Sequence, residues 1–225
     1  HLTTLMKKKN ESSEHLNIQL FLLCMLAALL CRRLGKISSL RIICGMLRTM
    51  IYVGVYIGWG ISIYKRVIQK SVRNVLIFIA ELIIFWFVVR TTKYFFTMDN
   101  QIARYLWYSY YIPMLFIPVA VLQAAFFLGK SEEYRLPKWL KGVYIPTAVL
   151  VLLVLSNDLH QLVFSFPVGS AWSDSHYTYG WGYYVVLVWE VVCALTAFAL
   201  MIYKCRHSQK KKYLPLLGIG AAVLY

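Results

Sequence analysis

Seven long apolar runs, each bounded by basic or turn residues, constrain this chain more than anything else in it. They are Leu16 to Cys31, Met46 to Tyr64, Val75 to Val89, Tyr105 to Leu128, Trp139 to Ser156, Tyr183 to Tyr203 and Tyr213 to Tyr225. A hydrocarbon core of about 30 Å is crossed by about 20 apolar helical residues, and inside it each backbone polar group needs an internal partner. The pattern predicts an all-α polytopic transmembrane helix bundle, with about seven membrane helices visible. Composition agrees: 60% of the 225 residues are hydrophobic and 15% charged, against about 45–50% and about 25% in soluble domains. The first run is short and follows Lys7 to Lys9; it reads as an uncleaved membrane helix, with a signal anchor or interfacial helix as the alternative. The last run, at 1.5 Å per residue, reaches only about 20 Å. It is read as a truncated helix, and with His1 in place of a starting Met both ends suggest a piece of a longer protein.

The net charge of +15 raises the question of nucleic acid, but a nucleic-acid binder gathers its cations on one soluble face. Here they stand in short clusters between apolar runs, so no nucleic-acid partner is expected and the lipid bilayer is the partner implied. Cytoplasmic loops carry the Lys and Arg excess of a membrane protein. With the N-terminus inside, 16 of the 24 basic residues fall on the cytoplasmic side and 8 outside. The segment from Arg32 to Arg48 is the basic exception on the outer side. The loop from Asn157 to Gly182 has no Lys or Arg and is read as external; Lys204 to Lys212 is read as internal. The expected location is the plasma membrane, multi-pass, N-terminus cytoplasmic.

Polar residues inside the runs are the candidate functional positions. Glu81 and Glu190 lie well within their spans, where a carboxylate costs about 2.5–3.5 kcal/mol and is expected to face the bundle interior and find a partner or a proton. A structural hydrogen bond to Gln123 or to a Tyr hydroxyl is the plainer alternative. Asn157, Asp158 and His160 close the fifth run within about two helical turns, a grouping suited to a small polar ligand or a pH-dependent site, or simply to capping a helix at the water interface. A metal site with Asp174 and His176 lacks zinc-type spacing. Trp107, Tyr108 and Tyr111 open the fourth run, while Trp172 and Trp181 lie in the aromatic stretch before the sixth. These form headgroup-level belts or the walls of an external pocket. Pro113, Pro118 and Pro146 should bend their helices. Five cysteines in or beside membrane runs make no disulfide framework, and with no phosphate loop, nucleophile elbow or HExxH motif the chain is not expected to be an enzyme or to carry a cofactor.

From Ile51 to Tyr225 the sequence resembles the seven-transmembrane N-terminal region of bacterial histidine kinases and related signalling proteins. The segments WYSYYIPMLFIP, Trp107 to Pro118, and NDLHQLVF, Asn157 to Phe164, carry the likeness most specifically; the second resembles that family's Asn-x-x-His pattern. The resemblance implies an extra N-terminal stretch over residues 1–45 and a sensor region over 46–225. It points to Asn157 and His160 as motif positions, with a downstream cytoplasmic output domain, an unknown external stimulus and a homodimer as partners. Any kinase domain would lie beyond Tyr225, and His160, at an external boundary, is no phosphoacceptor. The expected function is a membrane sensor or input module. The rival is a transporter or permease subunit using the buried carboxylates.

Overall fold

The computed structural model describes residues 2–67, 69–96, 99–168 and 176–205. Among the described residues, six helices are long and apolar enough to cross a membrane: His15–Leu34, Arg41–Arg66, Lys70–Phe95, Asn100–Phe127, Lys138–Leu155 and Trp181–Lys204. Each contains or overlaps one of the first six apolar runs, with several ends shifted by more than a helical turn, and the seventh run lies outside the described residues. The fold is therefore an all-α polytopic bundle.

The chain forms two compact units, residues 1–58 and 59–225. The boundary between them falls inside a helix. In the first unit, helix α1 (Leu2–Leu34) turns through a short 3-10 segment, Ser38–Leu40, into α2 (Arg41–Arg66). The turn is tight because Gly35 donates to the Cys31 carbonyl at 2.9 Å, and a Cβ on Gly35 would sit 3.0 Å from that oxygen. Thr49 returns its hydroxyl to the Gly45 carbonyl at 3.1 Å, one helical turn back.

The second unit contains the end of α2 and α3 (Lys70–Thr91), a π-helical turn (Thr92–Phe96), α4 (Asn100–Ser109) and α5 (Tyr111–Phe127). It continues with α6 (Lys138–Gly142), α7 (Tyr144–Leu155), the single turn α8 (Asn157–His160), strands β1 (Phe164–Ser165) and β2 (Thr178–Tyr179), and α9 (Trp181–Cys205). Helix α5 is central, packing against α3, α7 and α9. Its Leu115, Val119, Ala120 and Ala125 have no exposed surface. The buried face of α3 carries Ile79, Ile83 and Phe87.

Proline explains two of the helix boundaries. Pro113 has no N–H for the Ser109 carbonyl, and the helix breaks at Tyr110; Pro146 has none for Gly142, and the helix breaks at Val143. Each break lies three residues before its proline, and in both cases the helix resumes at once. Pro118 sits inside α5 without a break.

The unit has two ends. At one, Gln69 donates to the Ser131 carbonyl at 2.9 Å, joining the start of α3 to the α5–α6 loop. Lys204 there donates to the Ala125 and Phe126 carbonyls at 2.9 and 2.7 Å. That ammonium caps α5 where its dipole is negative. Gly129, with φ of 75°, turns the chain out of the same helix. At the other end lie α4, α8, the two strands and the start of α9.

Candidate functional site

That second end is built around Asn157. Seated on one turn of helix and fully buried, its side chain makes four hydrogen bonds. Nδ2 donates to the Tyr108 hydroxyl at 3.1 Å and to the Phe164 carbonyl at 2.8 Å. Oδ1 accepts from the backbone N–H groups of Val163 and Phe164 at 3.0 and 2.9 Å. An amide has two donor hydrogens and two good acceptor lone pairs, so its capacity is full.

The neighbouring carboxylate continues the network. Tyr108 donates to Asp158 Oδ1 at 2.7 Å, and Arg104 Nη2 meets Asp158 Oδ2 at 2.7 Å. Arg104 and Tyr108 stand four apart on α4 and so share a face. The result is a chain of polar contacts, Arg104 to Asp158 to Tyr108 to Asn157, running from the rim of the bundle to its interior and ending on the backbone of β1. Arg104 and Asp158 are about four-fifths covered, where charged hydrogen bonds contribute about 1.5–3 kcal/mol each.

His160 is also engaged. The Leu162 N–H donates to Nδ1 at 3.0 Å, which leaves the ring proton on Nε2, facing the Leu153 carbonyl at 3.1 Å and Ser156 Oγ at 3.2 Å. The imidazole in this arrangement is the neutral Nε2–H form. It holds the chain as it leaves α8 through Gln161, whose φ of 50° is left-handed.

The turn then feeds a short antiparallel pairing, Phe164 with Tyr179 and Ser165 with Thr178, prolonged by Gly180 N–H to the Val163 carbonyl and Gly182 N–H to the Leu162 carbonyl at 2.9 and 3.0 Å. A Cβ on Gly180 would lie 2.0 Å from the Leu162 oxygen. Glycine is required there by the closeness of the two backbones.

Aromatic rings surround Phe164, which is itself fully buried. Trp107, Tyr111, Tyr177 and Tyr183 have ring centres 4.5, 5.6, 5.5 and 5.9 Å away. Tyr108 lies parallel to it at 6.1 Å. The two aromatic groups of the sequence therefore do converge, on a hub that sequence reasoning did not single out. Trp181 does not join them: 61% of its surface is exposed, and it stands on the rim at the start of α9. Trp172 and Asp174 lie outside the described residues.

The buried polar positions separate. Gln123 accepts from the Tyr144 hydroxyl at 2.5 Å, linking α5 to α7. Trp189 donates to Thr147 at 3.0 Å, linking α9 to α7. Glu190 is half-buried on α9 and has neither a hydrogen bond nor an ion pair among the described residues. Glu81 departs from expectation: it is exposed on α3 and does not face the interior. The reason is rotational. α3 turns Ile79 and Ile83 inward, and a residue two positions from each points away.

The family described as the N-terminal 7TM region of histidine kinase matches residues 42–225. The chain belongs to that family. As a 7TM region of this kind it is a multi-pass membrane protein and a non-catalytic sensor input region. No curated protein and no solved structure matches the chain at a significant level.

Within this 7TM region, the residues missed from sequence were Arg104, Phe164 and the Gly180 and Gly182 pair. A signal existed for Arg104. Asp158 at a membrane boundary calls for a cation, and Arg104 lies one helical turn from Tyr108, which was already a candidate.

Proposed function

We propose that the Asn157 end of this 7TM region faces outside the cell, takes up a stimulus at its aromatic rim and passes it through the bundle to a cytoplasmic output domain. The observation that carries this reading is the network from Arg104 to Asn157. It ties α4, α7 with α8, and the β1–β2 pairing that leads into α9, so a change at the rim is felt by three membrane spans together. Asn157 and His160, whose hydrogen-bonding atoms are engaged, act as fasteners. Direct contact with a stimulus falls to the rim: Trp107, Trp181 and the Arg104–Asp158 pair, with Tyr108 and Tyr111 behind them. Such a surface suits a small molecule with an aromatic or apolar body and one polar group.

A stimulus shifts the bundle only by binding its two states unequally. Competition for Arg104 or Asp158 supplies that inequality, because the Tyr108 and Asn157 bonds depend on where Asp158 sits. The orientation is supported by the basic residues at the other end, Lys65, Arg66, Lys70, Arg73, Lys130, Arg135, Lys138 and Lys141, the mark of a cytoplasmic side.

Two measurements test the reading in a full-length protein whose native cysteines are replaced. A membrane-impermeant maleimide applied to intact cells is expected to label Leu159→Cys, a position 89% exposed, and to label Ser131→Cys only after permeabilisation. The reverse pattern overturns the orientation. Stimulus-dependent output is expected to fall at least about tenfold in Trp107→Ala and Asp158→Asn. An unchanged response in both variants to every active stimulus sinks the rim as the sensing surface.

A further inference from the structure

The hydrogen bonds around His160 hold only while its ring is neutral. Nδ1 accepts from the Leu162 N–H at 3.0 Å, and Nε2 faces the Leu153 carbonyl at 3.1 Å and Ser156 Oγ at 3.2 Å. An imidazole ordinarily changes charge between about pH 5 and 8. A proton added to this ring has one place to go, Nδ1, where it meets the Leu162 donor, and two donors make no bond. The Nε2 side keeps its partners. It lies against the last turn of α7, where the helix dipole favours a cation. One proton therefore leaves the ring fixed to α7 and releases the chain beyond it.

That chain is poised to move. Gln161 is left-handed at φ 50°, a conformation costly for a residue with a Cβ. Two bonds flank it, Gln161 N–H to the Asn157 carbonyl at 2.6 Å and Leu162 N–H to His160. The Leu162 carbonyl in turn accepts from Gly182, in the first turn of α9, at 3.0 Å. A Cβ on Gly180 or Gly182 would lie 2.0 or 3.0 Å from that oxygen. The two backbones touch, so Leu162 cannot shift without moving the start of α9 or losing its bond to it.

We propose that the proton is a second ligand of this end: uptake at His160 Nδ1 releases Leu162, lets the Gln161 turn relax and loosens the junction with α9, so that acid outside the cell biases the bundle. Only the word outside rests on the orientation proposed above; the release of Leu162 does not. By linkage, the loosened state binds the proton more tightly than the fastened one. The neighbouring titratable groups are otherwise engaged. Asp158, on the same turn, is directed to Arg104 and Tyr108 of α4. Tyr177, Tyr179 and Tyr183 pack around Phe164. His176, exposed, precedes β2. Among the described residues the His160 ring has no ionic partner.

The test uses the full chain in lipid nanodiscs, where both faces meet the buffer and orientation plays no part. Nitrogen NMR of the ring is expected to show a bare Nδ1 at about pH 8 and protons on both nitrogens at about pH 5. Over the same interval, protection of the Leu162 and Gly182 amides against hydrogen exchange, corrected for the intrinsic rate, is expected to fall at least about fivefold. His176→Asn and Glu190→Gln should keep that response. His160→Asn should lose it, because its amide oxygen stays within reach of the Leu162 N–H but takes up no proton. A ring that stays neutral to about pH 5, constant protection in the parent, or a response retained in His160→Asn each overturns the proposal. Should His160→Asn misfold, the ring titration and the parent's protection decide alone. Loosening in nanodiscs, combined with cells whose output follows internal and not external acid, would overturn the orientation and leave the proton switch standing.

Discussion

The two ends of the second unit are held by different means. At the Asn157 end, polar groups are largely covered and answer one another: side chain to side chain to backbone, with Asp158 and Tyr108 each serving two partners. At the basic end the ties are single and reach backbone carbonyls, Gln69 to Ser131 and Lys204 to Ala125 and Phe126, while most of the cations stand in the open. Arg73 over Tyr64 and Lys130 over Tyr134, with 4.8 and 5.1 Å from charge to ring centre, add only contacts of the exposed kind. A network of mutual bonds fails together, whereas separate ties fail one at a time. The first suits a switch and the second a fixed footing.

The difference has measurable size, and the largest effect is expected at Asn157. Replacement by alanine strands two backbone N–H groups and one carbonyl, each costing about 1–3 kcal/mol when buried. Asn157→Ala is expected to lose about 3 kcal/mol or more in reversible unfolding from mixed micelles, and a loss below about 1 kcal/mol would show the two ends to be alike. Arg104→Met comes next, at about 2 kcal/mol, since it leaves the largely covered Asp158 carboxylate without its cation. A double-mutant cycle with Tyr108→Phe checks the network itself: coupling of about 0.5 kcal/mol or more marks a shared unit, and strict additivity argues against one. Lys204→Met is the smallest, about 1 kcal/mol for an ammonium at a helix C-terminus. The same unfolding assay reads it, and coupling between Lys204→Met and Asn157→Ala should be absent across the length of α5.

Much of the architecture is legible in the order of the residues. Apolar length bounded by charge locates the first six spans, because a bilayer imposes one thickness on every helix that crosses it. Proline accounts for the helix breaks at Tyr110 and Val143, because a missing N–H acts on a known carbonyl. Asn157 and His160 stand out as a pattern, but their work does not. A local motif of amide, carboxylate and imidazole suits ligand recognition and internal fastening equally well, and only the position of β1 and α4 around it decides which atoms remain available. Phe164 leaves no trace in the sequence, since one phenylalanine among 12 carries no mark of becoming a hub. Glu81 contradicts its expected inward orientation for a related reason. Depth along a helix is a property of sequence, but the direction a residue faces depends on which stripe the neighbouring helix selects.

The sequence by itself determined that this chain is a membrane helix bundle, roughly where its first six spans lie, and which family it resembles. These follow from the solvent: hydrocarbon requires long apolar helices and penalises charge along their length. Tertiary structure alone decided that Arg104 meets Asp158, that Asn157 spends its bonds on β1, and that Glu81 looks outward. Those outcomes depend on the rotation of each helix about its axis and on residues as far apart in the chain as Arg104 and Asp158, and such relations arise only when helices pack.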